Sequence, residues 1–257
     1  MIYRSKAPLR IGLAGGGTDV SPYSDEFGGA ILNATLSLNA YASIEPMQEG
    51  GIVLEALDRK EKQGFEWKSE LPINGTLDLL KGVYNRIQKD YGITQKNFKL
   101  STYVDAPAGS GLGTSSTLVV AILGAFVEML KLPLGDYDIA HYAYEIERND
   151  LQLAGGKQDQ YAAAFGGLNH FYFKQDGGVL IEPLNVSKSN AQKLFERSIL
   201  IWSGQTRDAG VVLEDQSRRA EENSRNLSEI SNLAEVFKRE LMKDELDWPE
   251  IGRLISN

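Results

Sequence analysis

Ala106-Pro107-Ala108-Gly109-Ser110-Gly111-Leu112-Gly113-Thr114-Ser115-Ser116 decides how the rest of this chain is read. A strand-like run, Phe98 to Val104, leads into it, and an apolar, helix-like run, Leu118 to Leu130, leads out. Its glycines let the backbone approach a ligand closely and take positive φ where a tight turn needs it. The helix start that follows offers free N–H groups and the positive end of its dipole, a setting that suits phosphate. Two well-known phosphate loops fail on spacing. Walker A requires Lys and then Ser or Thr after the last glycine, whereas Thr114-Ser115 follows Gly113. The dinucleotide fingerprint G-x-G-x-x-G needs a third glycine where Thr114 stands. A plain strand-to-helix turn is the rival reading. The hydroxyls of Thr114, Ser115, Ser116 and Thr117 tilt against it: they can cap the helix, and one can also reach a phosphate or a magnesium ion.

Length and composition bound the rest. The 257 residues suffice for one large core or two modest ones, and 42% hydrophobic with 24% charged residues is ordinary for a globular protein. A net charge of −8 argues against nucleic acid as a partner, because phosphate backbones select clustered Lys and Arg. With no cysteine, disulfides and thiolate metal sites are excluded. No apolar run is long enough for a bilayer, and no signal peptide opens the chain, so the expectation is a soluble cytoplasmic protein without a membrane partner, monomeric or homodimeric. A Ser-His-Asp hydrolase finds no G-x-S-x-G elbow, and both histidines, His141 and His170, read as structural.

Upstream of the loop, Ile2 to Ala14 reads as extended and runs into the turn Gly15-Gly16-Gly17-Thr18-Asp19. Strands are expected at Ile31–Glu45, Ile52–Leu57 and Phe65–Trp67, the last two separated by the charged Asp58 to Lys62. Leu77, Leu80, Tyr84, Ile87 and Tyr91 recur at helical spacing, with Gly92 as the stop. Downstream, a buried helix follows the loop and a second helix runs from about Gly135 to Asp150. The turn Asp176-Gly177-Gly178 joins two strands, Leu168–Phe173 and Val179–Leu184. From Ser187 the pattern changes to a helix, a strand at Ser198–Trp202 and a long polar helix from about Ala209 to Leu241. Leu227, Ile230, Ala234, Phe237 and Leu241 give that helix one apolar stripe, read as packing surface.

Three motifs in order now carry a resemblance. Pro107 to Ser116, in the form P-x-G-x-G-L-G-T-S-S, resembles the central motif of the GHMP kinases (galactokinase, homoserine kinase, mevalonate kinase and relatives). Ala7-Pro8-Leu9-Arg10-Ile11-Gly12-Leu13-Ala14-Gly15-Gly16-Gly17-Thr18-Asp19 resembles that family's substrate motif, which in galactokinases reads A-P-G-R-V-N-L-I-G-E-H-T-D. Glu145-Ile146-Glu147-Arg148 followed by Gly156-Lys157-Gln158-Asp159-Gln160 resembles the block that supplies a metal-binding Glu and the catalytic Asp. Within the family, A-G-G-G-T-D together with G-K-Q-D-Q-Y-A-A-A-F-G-G is most similar to the D-glycero-D-manno-heptose 7-phosphate kinases, with L-fucokinase-type enzymes as near relatives.

The resemblance implies a two-layer α+β fold. Residues 1–186 would form an N-terminal ATP- and substrate-binding domain with a mixed sheet, and 187–257 a smaller C-terminal α+β domain. It implies ATP and Mg2+ as cofactors and a sugar or sugar phosphate phosphorylated at its anomeric hydroxyl, on the way to a nucleotide-activated heptose. Pro107, Gly109, Ser110, Gly111, Leu112, Gly113, Thr114, Ser115 and Ser116 would bind ATP; Ser115 and Glu147 would hold the metal. Asp159 would be the base, with Arg10 beside it keeping it ionised and offsetting charge on the transferring group. Gly16, Gly17, Thr18 and Asp19 would bind the sugar, Gly16 and Gly17 opening space where galactokinases carry Glu and His. If the substrate carries a phosphate, a basic residue must meet it; Arg207, Lys157, Arg4 and Lys6 are the candidates, and the sequence does not choose among them. Family members carry a further glycine-rich segment near the C-terminus that does not occur before Asn257, so the C-terminal domain is expected to be incomplete, and a non-catalytic nucleotide- or sugar-binding remnant stays open as the rival.

Overall fold

The computed structural model describes residues 1–205, 212, 215–216 and 218–256. They fall into two compact units of interleaved segments, one made of Met1–Leu9, Leu36–Ala154 and Asp159–Phe165, the other of Arg10–Thr35, Gly155–Gln158 and Gly166–Asn257. Ser187, where the sequence changes character, is the N-cap of a helix well inside the second unit, its side chain accepting from the N–H of Asn190.

In the first unit the strand order is β4 (Glu61–Phe65), β3 (Ile52–Ala56), β5 (Phe98–Val104) and the later part of β2 (Gly29–Pro46). The β3–β4 and β2–β5 pairs are antiparallel, whereas β3 and β5 run parallel. A parallel pair needs a crossover, and α2 (Asp78–Tyr91) supplies it. Leu80, Val83, Tyr84 and Ile87 form the buried face of α2, and Gly92 ends it. The glycine loop then opens α3 (Thr114–Leu130), which is apolar around most of its circumference and buried accordingly. Phe98 of β5 sits between Tyr84 and Phe126, with ring centroids 6.1 and 6.0 Å away. After α4 (Asp136–Glu145) the chain makes one π-helical turn, Ile146–Asp150, and later enters α5 (Gln158–Phe165).

In the second unit, the first part of β2 pairs antiparallel with β6 (Leu168–Phe173), Leu32 opposite His170. β6 forms a hairpin with β7 (Val179–Pro183) around Gly177, whose φ is +83°. Its core joins Ala30 and Leu32 of β2 to Leu194 of α6 (Lys188–Glu196), to Ala234, Phe237 and Leu241 of α7 (Ala220–Leu241), and to Ile251 and Leu254 of α8 (Trp248–Ser256). The stripe on α7 is therefore packing surface, as its spacing predicts. β1 (Tyr3–Ala14) pairs with β2. No described helix is long and apolar enough to cross a membrane.

Some sequence expectations are corrected. The expected strand at Ser198–Trp202 is not a strand: these residues pair with no strand among the described residues, and Ile199 and Ile201 are 85% and 78% exposed. β-propensity alone makes no ladder without a partner edge. The charged stretch expected only to separate two strands contributes Glu61 and Lys62 to β4, an edge strand whose burial alternates, and the strand ends at Phe65. The helix expected from Gly135 to Asp150 gives way to a π turn at Ile146. Two short helices, α1 (Tyr23–Phe27) and α8, were not expected. The expected start of the long helix near Ala209, and Arg207, lie outside the described residues.

Candidate active site

The glycine loop needs its glycines for conformation. Gly109, Gly111 and Gly113 have φ of +73°, +78° and +72°, where a side chain is strained. Gly113 is the left-handed N-cap of α3, its carbonyl accepting the first helical bond from the Thr117 N–H at 2.9 Å. Pro107, Ala108, Gly109, Gly111 and Ser115 are exposed, while Leu112, Thr114, Ser116 and Thr117 anchor the loop inward. The buried Ser110 hydroxyl oxygen has no hydrogen-bond partner. An exposed backbone arch with an unsatisfied hydroxyl at a helix start is suited to an anion with several acceptor oxygens.

Two carboxylates come to this loop. A Cβ built on Gly113 would lie 3.2 Å from the Asp159 carboxyl carbon, so Asp159 packs directly against the last loop glycine. Glycine at 113 is thus required by conformation and also leaves room for the Asp159 carboxylate. Glu147 lies in the π turn, where the Leu151 N–H reaches back to the Ile146 carbonyl and the Leu153 N–H to that of Glu147. Such turns inside helices mark functional sites often enough to be informative. The Glu147 carboxylate is buried and accepts from Gln160 Nε2 at 2.6 Å, and the same amide donates to the Ser116 hydroxyl at 3.1 Å. Burial pushes the Glu147 carboxyl above its usual range; Arg148 and the bonds from Ser116 and Gln160 pull it down, and Asp159 raises it further. Next to it the buried Gln160 Oε1 has no partner. A desolvated carboxylate with an unsatisfied carbonyl oxygen beside it suits a small hard cation. Arg148 braces the segment through Nη1, donating to the carbonyls of Leu153 and Ala154 at 2.9 and 3.1 Å. Arg86 of α2 holds its end, bonding Asp150 at 2.7 Å.

The second glycine turn is built differently. Gly15 and Gly17 have φ of +83° and +87°, and a Cβ on Gly15 would lie 1.9 Å from the Ala30 carbonyl oxygen. Thr18 is fully buried: its hydroxyl donates at 2.8 Å to the Gly15 carbonyl and accepts from the Ala30 N–H at 3.2 Å. Asp19 is buried as well, with Oδ2 accepting from the N–H groups of Lys157 and Gln158 at 2.8 and 2.9 Å. No atom of the described residues lies within 4 Å of a Cβ on Gly16, and Gln216 donates to the Gly17 carbonyl at 2.7 Å. Arg10 is half-buried on β1. Lys157, an alternative for meeting a substrate phosphate, is buried, with Nζ 3.6 Å from Asp25.

The structure thus brings Asp159, Glu147, Ser116 and the loop together in one unit, and gathers Gly15 to Asp19 with the 156–158 turn in the other. Sequence reading missed Gln160, which links Glu147 to Ser116. Its place one residue after Asp159 was the available signal. Also missed was a pocket of about 190 Å³, its apolar wall built from Ile73, Leu77, Leu151 and Leu118 of α3 and its rim carrying Asp58, Arg59 and Asp78.

Residues 78–167 match the GHMP kinases N terminal domain. The chain is 47% identical over 211 residues to the D-glycero-alpha-D-manno-heptose 7-phosphate kinase of Campylobacter jejuni, covering 82% of this chain and 62% of that enzyme. It is 27% identical over 270 residues to the bifunctional fucokinase/GDP-fucose pyrophosphorylase of Arabidopsis thaliana, spanning only 25% of that protein. A crystal structure of a D-glycero-D-manno-heptose 1-phosphate kinase from Bacteroides thetaiotaomicron superposes with a TM-score of 0.87 at 47% identity, over 99% of this chain and 76% of that one. At 15% identity and a TM-score of 0.66, Lactococcus lactis galactokinase shares the fold. The motifs, their arrangement and this likeness establish that the chain belongs to the GHMP kinase family.

Proposed function

We propose that this chain transfers the γ-phosphoryl group of ATP to the anomeric hydroxyl of a sugar phosphate, D-glycero-D-manno-heptose 7-phosphate. One observation carries the reading most directly: the Asp159 carboxylate packed against the last glycine of a loop suited to phosphate. Pro107 to Ser116 would hold the triphosphate through backbone N–H groups and hydroxyls, and the pocket around Leu118 would take the purine. Residues 1–186 would form the ATP- and substrate-binding domain, with 187–257 belonging to the C-terminal one.

Glu147 and the hydroxyl of Ser115 would hold Mg2+, with Ser116 and Gln160 fixing the carboxylate. Bound there, Mg2+ would supply positive charge to offset the charge developing on the phosphate oxygens. Asp159 would accept the proton of the attacking hydroxyl, or orient that hydroxyl in line with the leaving group. Arg10 would offset charge on the transferring group. Gly16, Gly17 and Asp19 would shape the sugar pocket and Arg207 would meet the distal phosphate. The heptose assignment is supported by the 47% identity to the Campylobacter jejuni enzyme named for that sugar, and by the lack of a side chain at Gly16, where galactokinases carry a glutamate.

A panel of sugars and sugar phosphates, each offered with ATP and Mg2+, tests this. Heptose 7-phosphate should be consumed in preference to L-fucose and galactose, giving the 1,7-bisphosphate and ADP. Preference for L-fucose would move the chain to the fucokinase branch, and no transfer to any sugar would remove the kinase reading.

A further inference from the structure

Asp19 is assigned to the sugar by its position in the first motif, yet its carboxylate already grips the protein. Its Oδ2 accepts from two successive backbone N–H groups, those of Lys157 and Gln158, across 138 and 139 residues of sequence. Gln158 Nε2 also reaches Oδ1, at 3.3 Å. Those N–H groups belong to the entry of α5 and have no partner within their own helix, so Asp19 fills from a distance the role a local N-cap side chain fills elsewhere. The next residue along the backbone is Asp159.

A second observation, independent of those bonds, points the same way. A Cβ on Gly156 would lie 2.0 Å from Asp19 Oδ2 and 2.4 Å from the carboxyl carbon. Gly156 does not have positive φ, so other residues could adopt its backbone conformation. Space for Asp19, and not conformational freedom, is what requires glycine at 156. The fit leaves no slack: turn 156–158 is moulded onto the carboxylate, and displacing either displaces the start of α5.

On the reading above, we infer that Asp19 is a positioning residue, whose carboxylate clamps the Gly156–Gln158 turn and so fixes where Asp159 stands. Its effect is on the chemical step, through Asp159, more than on sugar affinity. A side chain acting mainly as a hydroxyl acceptor would give the opposite division between kcat and KM. Proton transfer and in-line attack tolerate little displacement of the base, so loosening the clamp should lower turnover steeply.

Steady-state kinetics with heptose 7-phosphate on wild type, Asp19→Ala, Asp19→Asn and Gly156→Ala test the inference, alongside hydrogen exchange at the Lys157 and Gln158 amides. Asp19→Ala and Gly156→Ala should each lower kcat at least tenfold with sugar KM within about threefold. Both should speed exchange at the two amides. Asp19→Asn keeps an oxygen for both N–H groups, with the Gln158 amide turning over to match, and should recover most of the turnover that Asp19→Ala loses, together with the slow exchange of both amides. The inference is overturned if Asp19→Ala raises sugar KM with kcat intact, if Gly156→Ala behaves as wild type, or if Asp19→Asn is as impaired as Asp19→Ala. Should the alanine variants fail to fold, exchange in Asp19→Asn decides alone: both amides must stay protected as in wild type, and faster exchange there overturns the inference. Absence of transfer by wild type would instead count against the kinase reading, and the exchange data would still report whether the clamp exists.

Discussion

Two glycine-rich turns, 107–113 and 15–19, look alike in sequence and are built for opposite ends. The first keeps an exposed backbone, with the Ser110 hydroxyl oxygen unpartnered beneath it. In the second, the Thr18 hydroxyl and Asp19 Oδ2 are both engaged by backbone, and Gly15 is pressed onto the Ala30 carbonyl. One is shaped to receive groups from outside; the other fastens segments far apart in the chain. Glycine content does not distinguish them. The difference lies in where each turn's hydrogen-bonding groups find partners.

The largest expected break in that contrast comes at Gly113. Alanine there strains a left-handed residue by about 1–2 kcal/mol. More importantly, it presses a Cβ to 3.2 Å from the Asp159 carboxyl carbon. Turnover should fall on the order of 100-fold, the scale that small misplacements of reacting groups produce. Stopped-flow kinetics with a parallel melt would separate that from instability. In the second turn the loss should appear in stability instead. Gly15→Ala must move β2 or the turn and should cost about 2 kcal/mol or more, whereas Gly16→Ala, with no atom of the described residues within 4 Å, should stay within about 0.5 kcal/mol. Equal melting temperatures for the two variants would contradict the distinction. A smaller effect is expected for Thr18→Val, which leaves the Ala30 N–H without its side-chain partner: about 1–2 kcal/mol by denaturant unfolding.

The smallest effect concerns acid. His170 on β6 is wholly buried, and neither ring nitrogen has a hydrogen-bond partner. Burial lowers its pKa below the ordinary 6.5; Lys238 adds to the lowering, while Glu235 and Glu182 oppose it. The unfolded chain then takes up the proton first, so stability is full above pH 6.5 and declines as pH falls toward the folded value. Protection factors at Leu32 and Ala30, corrected for intrinsic exchange, should fall below pH 6.5, and His170→Leu should flatten that dependence. Amides of the 107–113 loop serve as the control.

Much of this was legible in sequence because it is local. Period and flanking glycines mark α2, α3 and the β6–β7 hairpin, and three ordered motifs mark Asp159, Glu147 and the loop. What was not legible depends on partners far along the chain. Gln160 gains meaning only when the π turn brings Glu147 to it. Asp19 reads as a ligand for sugar hydroxyls until the 156–158 turn closes on it. The run Ile199 to Trp202 has the composition of a strand and lacks a neighbour to pair with among the described residues.

Asp159 is where the open loop and the fastened turn both lead, since one packs against it and the other holds the residues before it. The most direct test is Asp159→Asn, measured for ATP binding by titration calorimetry and for γ-phosphoryl transfer to heptose 7-phosphate by radiolabel. ATP affinity should stay within about threefold of wild type while transfer falls about 10²–10⁴-fold, the range for loss of a general base. Transfer at the wild-type rate by Asp159→Asn would contradict a base poised at this loop.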